Sequence, residues 1–390
     1  MNNEIKQHAL KTILYYIVYA GLGLSVGVLG PSLLRLADNT GTTIGQVSAI
    51  FLFHSLGYLI GAVIGGRGYD RIAGHPIMSL MLVFMAITLA VTPIINVFWL
   101  LILVMLLFGT AQGALDVGDN TLLLWTYGSK VGPYMNGLHL FFGIGAFLAP
   151  VLVARSVAAG DSLNLAYWGM AVFMLIPAVG LMFMRSPSKK GGANDPVKAG
   201  EPGNTLLLGM VAVFLMFYIG MEHGITGWVF TYATTTNLLN EVSAAYVTSL
   251  FWGAFTLGRM MSIPIAIKLR PRQVLAMDLA GCFASIMILL IWPGSVTALW
   301  VSVAGTGLFA ASIFPTIITF AENRMHLTGK STSLFFVGVS VGGMFFPWLI
   351  GQCYASVGPR MVPVTIAASA GLLVLLFVVL VRKYPGKSSK

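Results

Sequence analysis

The chain has 390 residues, 57% of them apolar and only 9% charged, with a formal net charge of +10 and a mean hydropathy of +0.88. A soluble domain carries about 25% charged residues, so this sequence cannot clothe a surface meant for water, and lipid is the solvent it suits. Its two cysteines, Cys282 and Cys353, stand far apart in apolar stretches, which argues against a disulfide framework or a Cys/His metal site.

Apolar runs of about 20 residues bounded by polar or Pro/Gly punctuation predict an all-α membrane protein with twelve transmembrane helices. The first, 10–34, is too long for a cleavable leader and ends at Gly30-Pro31 without a small-residue cleavage site. Spans follow at 43–66, 76–93, 97–126, 131–157 and 164–184. The stretch from Pro93 to Asn96 is so short that the third and fourth spans must form an antiparallel hairpin. Residues 185–204, RSPSKKGGANDPVKAGEPGN, are polar and rich in Gly, Pro and Lys. They read as a cytoplasmic linker between a six-helix bundle at 1–184 and another at 205–390. The second set comprises 205–235, 241–267, 271–292, 296–322, 328–355 and 361–383, and Pro293 to Ser295 repeats the short hairpin link.

The halves echo one another. Tyr19-x-Gly21 aligns with Tyr218-x-Gly220, Gly109-Thr110 with Gly305-Thr306, and Gly145 and Pro150 with Gly342 and Pro347. Basic residues give the orientation. With the amino terminus in the cytoplasm, all 22 Lys and Arg fall in cytoplasmic segments except Arg35, Arg155 and Arg360 outside and Arg259 within a span. Both termini are therefore expected in the cytoplasm, and the protein in the plasma (inner) membrane. The basic balance reads as topology, so no nucleic-acid partner is expected.

A carboxylate at membrane depth costs about 2.5–3.5 kcal/mol on insertion scales, so such groups should face the protein interior or a wet path. Asp116, Asp119 and Glu222 lie at that depth. Asp116 and Asp119 are three residues apart and should point the same way, with Gln112 and Asn120 extending the polar stripe. Two carboxylates so close resist simultaneous ionisation, which suits a site that loads and unloads protons. The plainer reading is that one only pairs with His139 or a backbone group. His139 and Asn136 share a face of the fifth span, and His54 sits mid-way along the second. Glu222 and His223 lie in the seventh span, where Gly220, Gly224 and Gly227 predict a helix able to bend or break and Trp228 and Tyr232 add aromatic surface. Glu222 could instead form an interior ion pair with Arg259.

At the end of the second span the chain reads Gly66-Arg67-Gly68-Tyr69-Asp70-Arg71-Ile72-Ala73-Gly74-His75-Pro76. This resembles the signature between helices 2 and 3 of the major facilitator superfamily, with His75-Pro76 where basic residues usually stand. Gly113-Ala114-Leu115-Asp116 with Asn120, Tyr218-Ile219-Gly220-Met221-Glu222, Gly258-Arg259 and Ser312-Ile313-Phe314-Pro315-Thr316-Ile317 resemble the fucose-permease branch and the related sodium-dependent glucose transporter branch. Fucose permeases use an acid in helix 1, and none stands here between Lys11 and Leu36. The resemblance implies two pseudo-symmetric six-helix bundles, the major facilitator fold. It also implies a cytoplasmic gate at Arg67, Asp70 and Arg71, to which Arg259 with Asp278 would be a second-half counterpart.

The resulting expectation is a secondary transporter for a small polar solute, a sugar before others, working as a monomer by alternating access. Asp116, Asp119, Asn120, Gln112, His139, Asn136, His54 and Glu222 would bind solute or couple a cation, a proton with sodium as the alternative. Trp228 would stack on a sugar ring. Membrane lipid is the other expected partner, and neither a cofactor nor a metal is implied. An efflux carrier for amphipathic drugs or lipids, built on 20 Met and 24 Phe, is a rival reading. A receptor or scaffold that kept the fold without transport is another. No nucleophile motif or P-loop supports an enzyme.

Overall fold

The computed structural model describes residues 2–160, 162–187, 205–325 and 329–385, and all regular structure among them is helical. In chain order the helices are α1 (Asn2–Thr40), α2 (Ile44–Val47), α3 (Ala49–Arg71), α4 (Gly74–Val91), α5 (Phe98–Tyr127), α6 (Gly132–Gly160) and α7 (Asn164–Met182). They continue as α8 (Thr205–Thr235), α9 (Glu241–Lys268), α10 (Pro271–Ile291), α11 (Val296–Ala310), α12 (Ile313–Glu322), α13 (Gly329–Val357) and α14 (Met361–Lys383). Together they make 12 segments long and apolar enough to cross a membrane, which fits an integral multi-pass membrane protein. Residues such as Ile64, Leu80, Ile87, Val172 and Val179 are more than half exposed. On a soluble protein they would be liabilities, whereas here they are the faces that acyl chains cover. Most of the polar stretch 185–204 lies outside the described residues.

The chain divides into two compact units, Met1–Ala193 and Asn194–Lys390. Inside the first unit, α3 packs along α5, α1 along α6 and α4 along α7; inside the second, α9 packs along α11, α8 along α13 and α10 along α14. The same three pairings recur in each half, as the sequence echoes lead one to expect.

Small residues set how closely these helices approach, because lipid supplies no hydrophobic force between them and packing must do the work. A Cβ at Gly61 of α3 would lie 1.9 Å from the Thr110 carbonyl oxygen of α5, and one at Gly109 would lie 1.9 Å from that of His54. Gly145 of α6 meets the Ala20 carbonyl at 1.9 Å by the same measure, and its echo Gly342 in α13 meets that of Met216 at 2.3 Å.

One expectation about helix continuity is corrected. Span seven, α8, is one uninterrupted helix, and its glycines serve packing: Gly220 lies against the Phe346 ring and Gly224 against Ile350. The interruption falls in span ten, at Ala311 and Ser312 between α11 and α12. Pro315 is the third residue of α12, where the missing amide hydrogen would have no helical acceptor in a helix that starts afresh. Pro31, Pro150, Pro177, Pro264 and Pro347 lie inside helices that run on.

Thermal unfolding of purified protein in detergent tests the packing argument. Gly61→Ala should lose about 1–3 kcal/mol, the usual cost of overpacking. Gly209→Ala, where an added Cβ meets nothing within 4 Å, should be neutral or stabilising. Equal effects of the two would refute it.

Candidate functional site

Helix α5 carries Gln112, Asp116, Asp119 and Asn120. Because Gly109 and Gly113 let the α3 backbone come within touching distance, side chains on α3 reach the α5 polar stripe directly. His54 Nε2 lies 2.8 Å from Gln112 Oε1. One turn on, the Tyr58 hydroxyl donates a short hydrogen bond to Asp116 Oδ2. From α1, the Tyr19 hydroxyl donates to Asp116 Oδ1 at 2.7 Å. Asn120 completes the group, its amide donating to Asp116 Oδ1 at 3.0 Å, to the Tyr19 hydroxyl at 2.9 Å and to the Asp116 carbonyl at 2.9 Å.

Asp116 is therefore a half-buried carboxylate held by three neutral donors from α1, α3 and α5. Hydrogen bonds to a charged group contribute about 1.5–3 kcal/mol each, so together they outweigh an insertion cost of about 2.5–3.5 kcal/mol. No cation is needed to keep the group where it is.

The expected pairing of Asp116 with Asp119 in one polar face is not what the helix delivers. Asp119 is wholly buried, and neither of its oxygens accepts a hydrogen bond from any described residue. His139 packs its ring edge-on against Tyr19 at 5.5 Å, and Tyr19 in turn donates to Asp116. Asn136 is exposed near the start of α6 and hydrogen-bonds to none of the Asp116 group. The fifth span thus borders this site with the His139 ring, and Asn136 stands apart from it.

In the second unit Glu222 is buried in α8, and Tyr218 one turn before it donates to the Ala310 carbonyl at 3.2 Å, where α11 ends. Arg259 forms an ion pair with neither Glu222 nor Asp278. Its guanidinium sits over the Phe255 ring at 5.1 Å, and its Nε is buried without a partner among the described residues. Asp278 instead accepts from Ser312 at the break between α11 and α12. Cys282, one turn along α10, approaches the Thr306 carbonyl at 3.7 Å. The idea that Trp228 stacks on a sugar is corrected: its ring has no exposed surface, and its indole N–H donates to the Pro347 carbonyl at 2.9 Å. That side chain locks α8 to α13.

Arg67, Asp70 and Arg71 are all exposed in the last turns of α3. Tyr69 between them is buried and donates to the Ala114 carbonyl at 3.0 Å, seating the end of α3 over Gly118 of α5. His75 is also wholly buried. Its Nδ1 lies 2.9 Å from the Met184 carbonyl, which can only accept, so in the neutral ring Nε2 is free to accept from the Tyr15 hydroxyl 2.8 Å away. The His75 amide donates to Ser186 at 2.9 Å. A histidine in the signature position where a basic residue usually stands thus ties α1, α4 and the segment after α7 together.

Sequence reasoning missed Tyr19 and Tyr58 as Asp116 partners and Ser312 as the partner of Asp278. Tyr58 had a signal, since it is four residues from His54 and shares its face. A double-mutant cycle of Ser312→Ala and Asp278→Asn, read by thermal unfolding, should give a coupling of about 1–3 kcal/mol. Additive losses would show that the contact does not hold the break.

The description Major Facilitator Superfamily matches residues 15–347. Sodium-dependent glucose transporter 1A of Mus musculus is 31% identical over 372 residues, spanning 86% of this chain and 88% of its own. Sodium-dependent glucose transporter 1 of Homo sapiens is 30% identical, over 85% of this chain and 71% of its own. Among solved structures, that of a mutant of the nucleoside transporter NupG gives a TM-score of 0.78 at 13% identity, covering 95% of this chain and 99% of that one. With the family description matched along most of its length and relatives similar across both units, this chain belongs to the Major Facilitator Superfamily of transporters.

Proposed function

We propose that this protein is a secondary transporter that moves a sugar across the membrane by alternating access, coupled to a cation. The observation that carries this reading is the Asp116 group, a half-buried carboxylate surrounded only by neutral hydrogen-bonding side chains. A carboxylate has about four acceptor positions, and Tyr19, Asn120 and Tyr58 occupy three. One position on Oδ2 and the lone pair of the Tyr58 hydroxyl stay open to donors, the Tyr19 oxygen already accepting from Asn120. Hydroxyl-rich neutral solutes offer donors in that density. An anionic solute would call for Arg or Lys, and none of the described hydrogen-bond partners of Asp116 is basic.

His54 and Gln112 extend the same surface one turn along α3 and α5. His139 borders it through Tyr19. The names of the relatives, sodium-dependent glucose transporters, support a sugar as solute and a cation as co-substrate. In this reading Asp116 with Asn120, Gln112 and His54 binds solute, and Glu222 is a further solute-binding or cation-coupling residue. Arg67, Asp70 and Arg71 form a latch on the cytoplasmic side, and both termini lie on that side. The single chain is the working unit, in the plasma (inner) membrane.

Thermal stabilisation of purified protein against hexoses, pentoses and nucleosides tests this. One hexose should raise the midpoint by an amount that grows with concentration, since ligand near 100 times its dissociation constant adds about 2.7 kcal/mol. Asp116→Asn should weaken the apparent affinity at least about tenfold, or about 1.4 kcal/mol. Stabilisation by amphipathic dyes and by no sugar would turn the reading toward efflux.

A further inference from the structure

Asp119 has no place in the solute site just described. It lies one turn along α5 from Asp116, with no exposed surface and with both oxygens unpartnered among the described residues. No other carboxylate among them is left so. Asp116 has three donors and Asp278 has Ser312. A bare buried carboxylate without donors carries a penalty of several kcal/mol, whereas the neutral acid loses only what an unpaired polar group loses.

The neighbouring hydroxyls point to the same state. Tyr15 of α1 and Tyr69 of α3 both lie within electrostatic reach of Asp119. Tyr69 donates its hydrogen to the Ala114 carbonyl, and Tyr15 donates its own to His75 Nε2 when that ring is neutral. What each hydroxyl can still offer is an oxygen lone pair. Lone pairs repel a carboxylate more than they repel its neutral acid. Beyond Asp119, the Tyr15 hydroxyl meets the His75 ring, and that ring meets the Met184 carbonyl. The space is tight as well, because the Tyr69 hydroxyl would lie only 2.2 Å from a Cβ on Gly118.

We propose that Asp119 is the carboxyl that carries the coupling proton, held as the neutral acid beside Tyr15 and Tyr69, while Asp116 stays with the solute. The charged and titratable groups facing this region are Asp116 on α5, Tyr15 and Lys11 on α1, Tyr69 on α3 and His75 at the start of α4. The step is a proton transfer alone, from hydronium to the Asp119 carboxylate and back to water. This assignment rests on the transporter reading above for its purpose and on the burial of Asp119 for its substance.

Infrared difference spectroscopy of the full chain in lipid tests it without any solute. Near neutral pH the wild type should show the carbonyl stretch of a protonated carboxyl, and Asp119→Asn should lack it. An unchanged band in that variant overturns the proposal. Should Asp119→Asn not fold, the wild-type band decides: it should persist when choline chloride is replaced by sodium chloride, and its loss on sodium addition would make this a sodium site instead. In proteoliposomes, Asp119→Asn should cut solute accumulation driven by a proton gradient at least about tenfold. Retention of full accumulation would overturn the assignment. If the wild type binds and moves no sugar, the transporter reading fails on its own, and the infrared band still reports whether Asp119 holds a proton.

Discussion

The close approach of α3 and α5 governs what the first unit can do. Glycines at 57, 61, 109 and 113 replace side-chain contacts with contacts between a carbonyl and a Cα. That leaves the polar residues one position away with neighbours instead of lipid. His54 meets Gln112 and Tyr58 meets Asp116 because of that geometry, and the α1–α6 pair, closed by Gly23 and Gly145, borders the group with Tyr19 and His139. In a medium that supplies no hydrogen bonds, a functional carboxylate has to be accompanied by its own donors. Small residues are what let those donors come from three separate helices.

Much of the architecture was legible in the composition. Runs of apolar residues and the short links at 93–96 and 293–295 placed twelve spans where the helices lie. Residue-level placement was harder for identifiable reasons. Glycines in α8 looked like hinges, since a glycine that frees the backbone and one that admits a neighbour read alike in a sequence. Only the Phe346 ring against Gly220 distinguishes them. The break at Ala311 and Ser312 was hidden because proline mostly leaves these membrane helices intact, and Pro315 differs by where its helix begins. Asp116 and Asp119 were read as a pair from their spacing. Periodicity gives direction around a helix and says nothing of what waits there. One turn along α5, three donors converge; at the next carboxylate, both hydroxyl hydrogens are already spent elsewhere.

The two units share a pattern of helix pairing and diverge in chemistry. Tyr19 and Tyr218 are sequence echoes, yet the first donates to a carboxylate and the second to a backbone carbonyl. By the same echo Asp116 falls opposite Ser312, where the helix is broken and the acid comes from α10. The first unit concentrates its charge on an unbroken helix. The second places Asp278 against the Ser312 hydroxyl, where a helix is interrupted. A duplicated frame has in this way come to hold two unlike polar centres.

The partners of Asp116 carry a further consequence. All of them are dipoles, two phenols and an amide, fixed on helices that touch through glycine. Mobile ions screen attraction between full charges over distances near the Debye length, and they act weakly on short contacts of this kind. A carboxylate cradled by an arginine would loosen as the surrounding brine grew stronger. This one keeps its shape and orientation in dilute and concentrated salt alike.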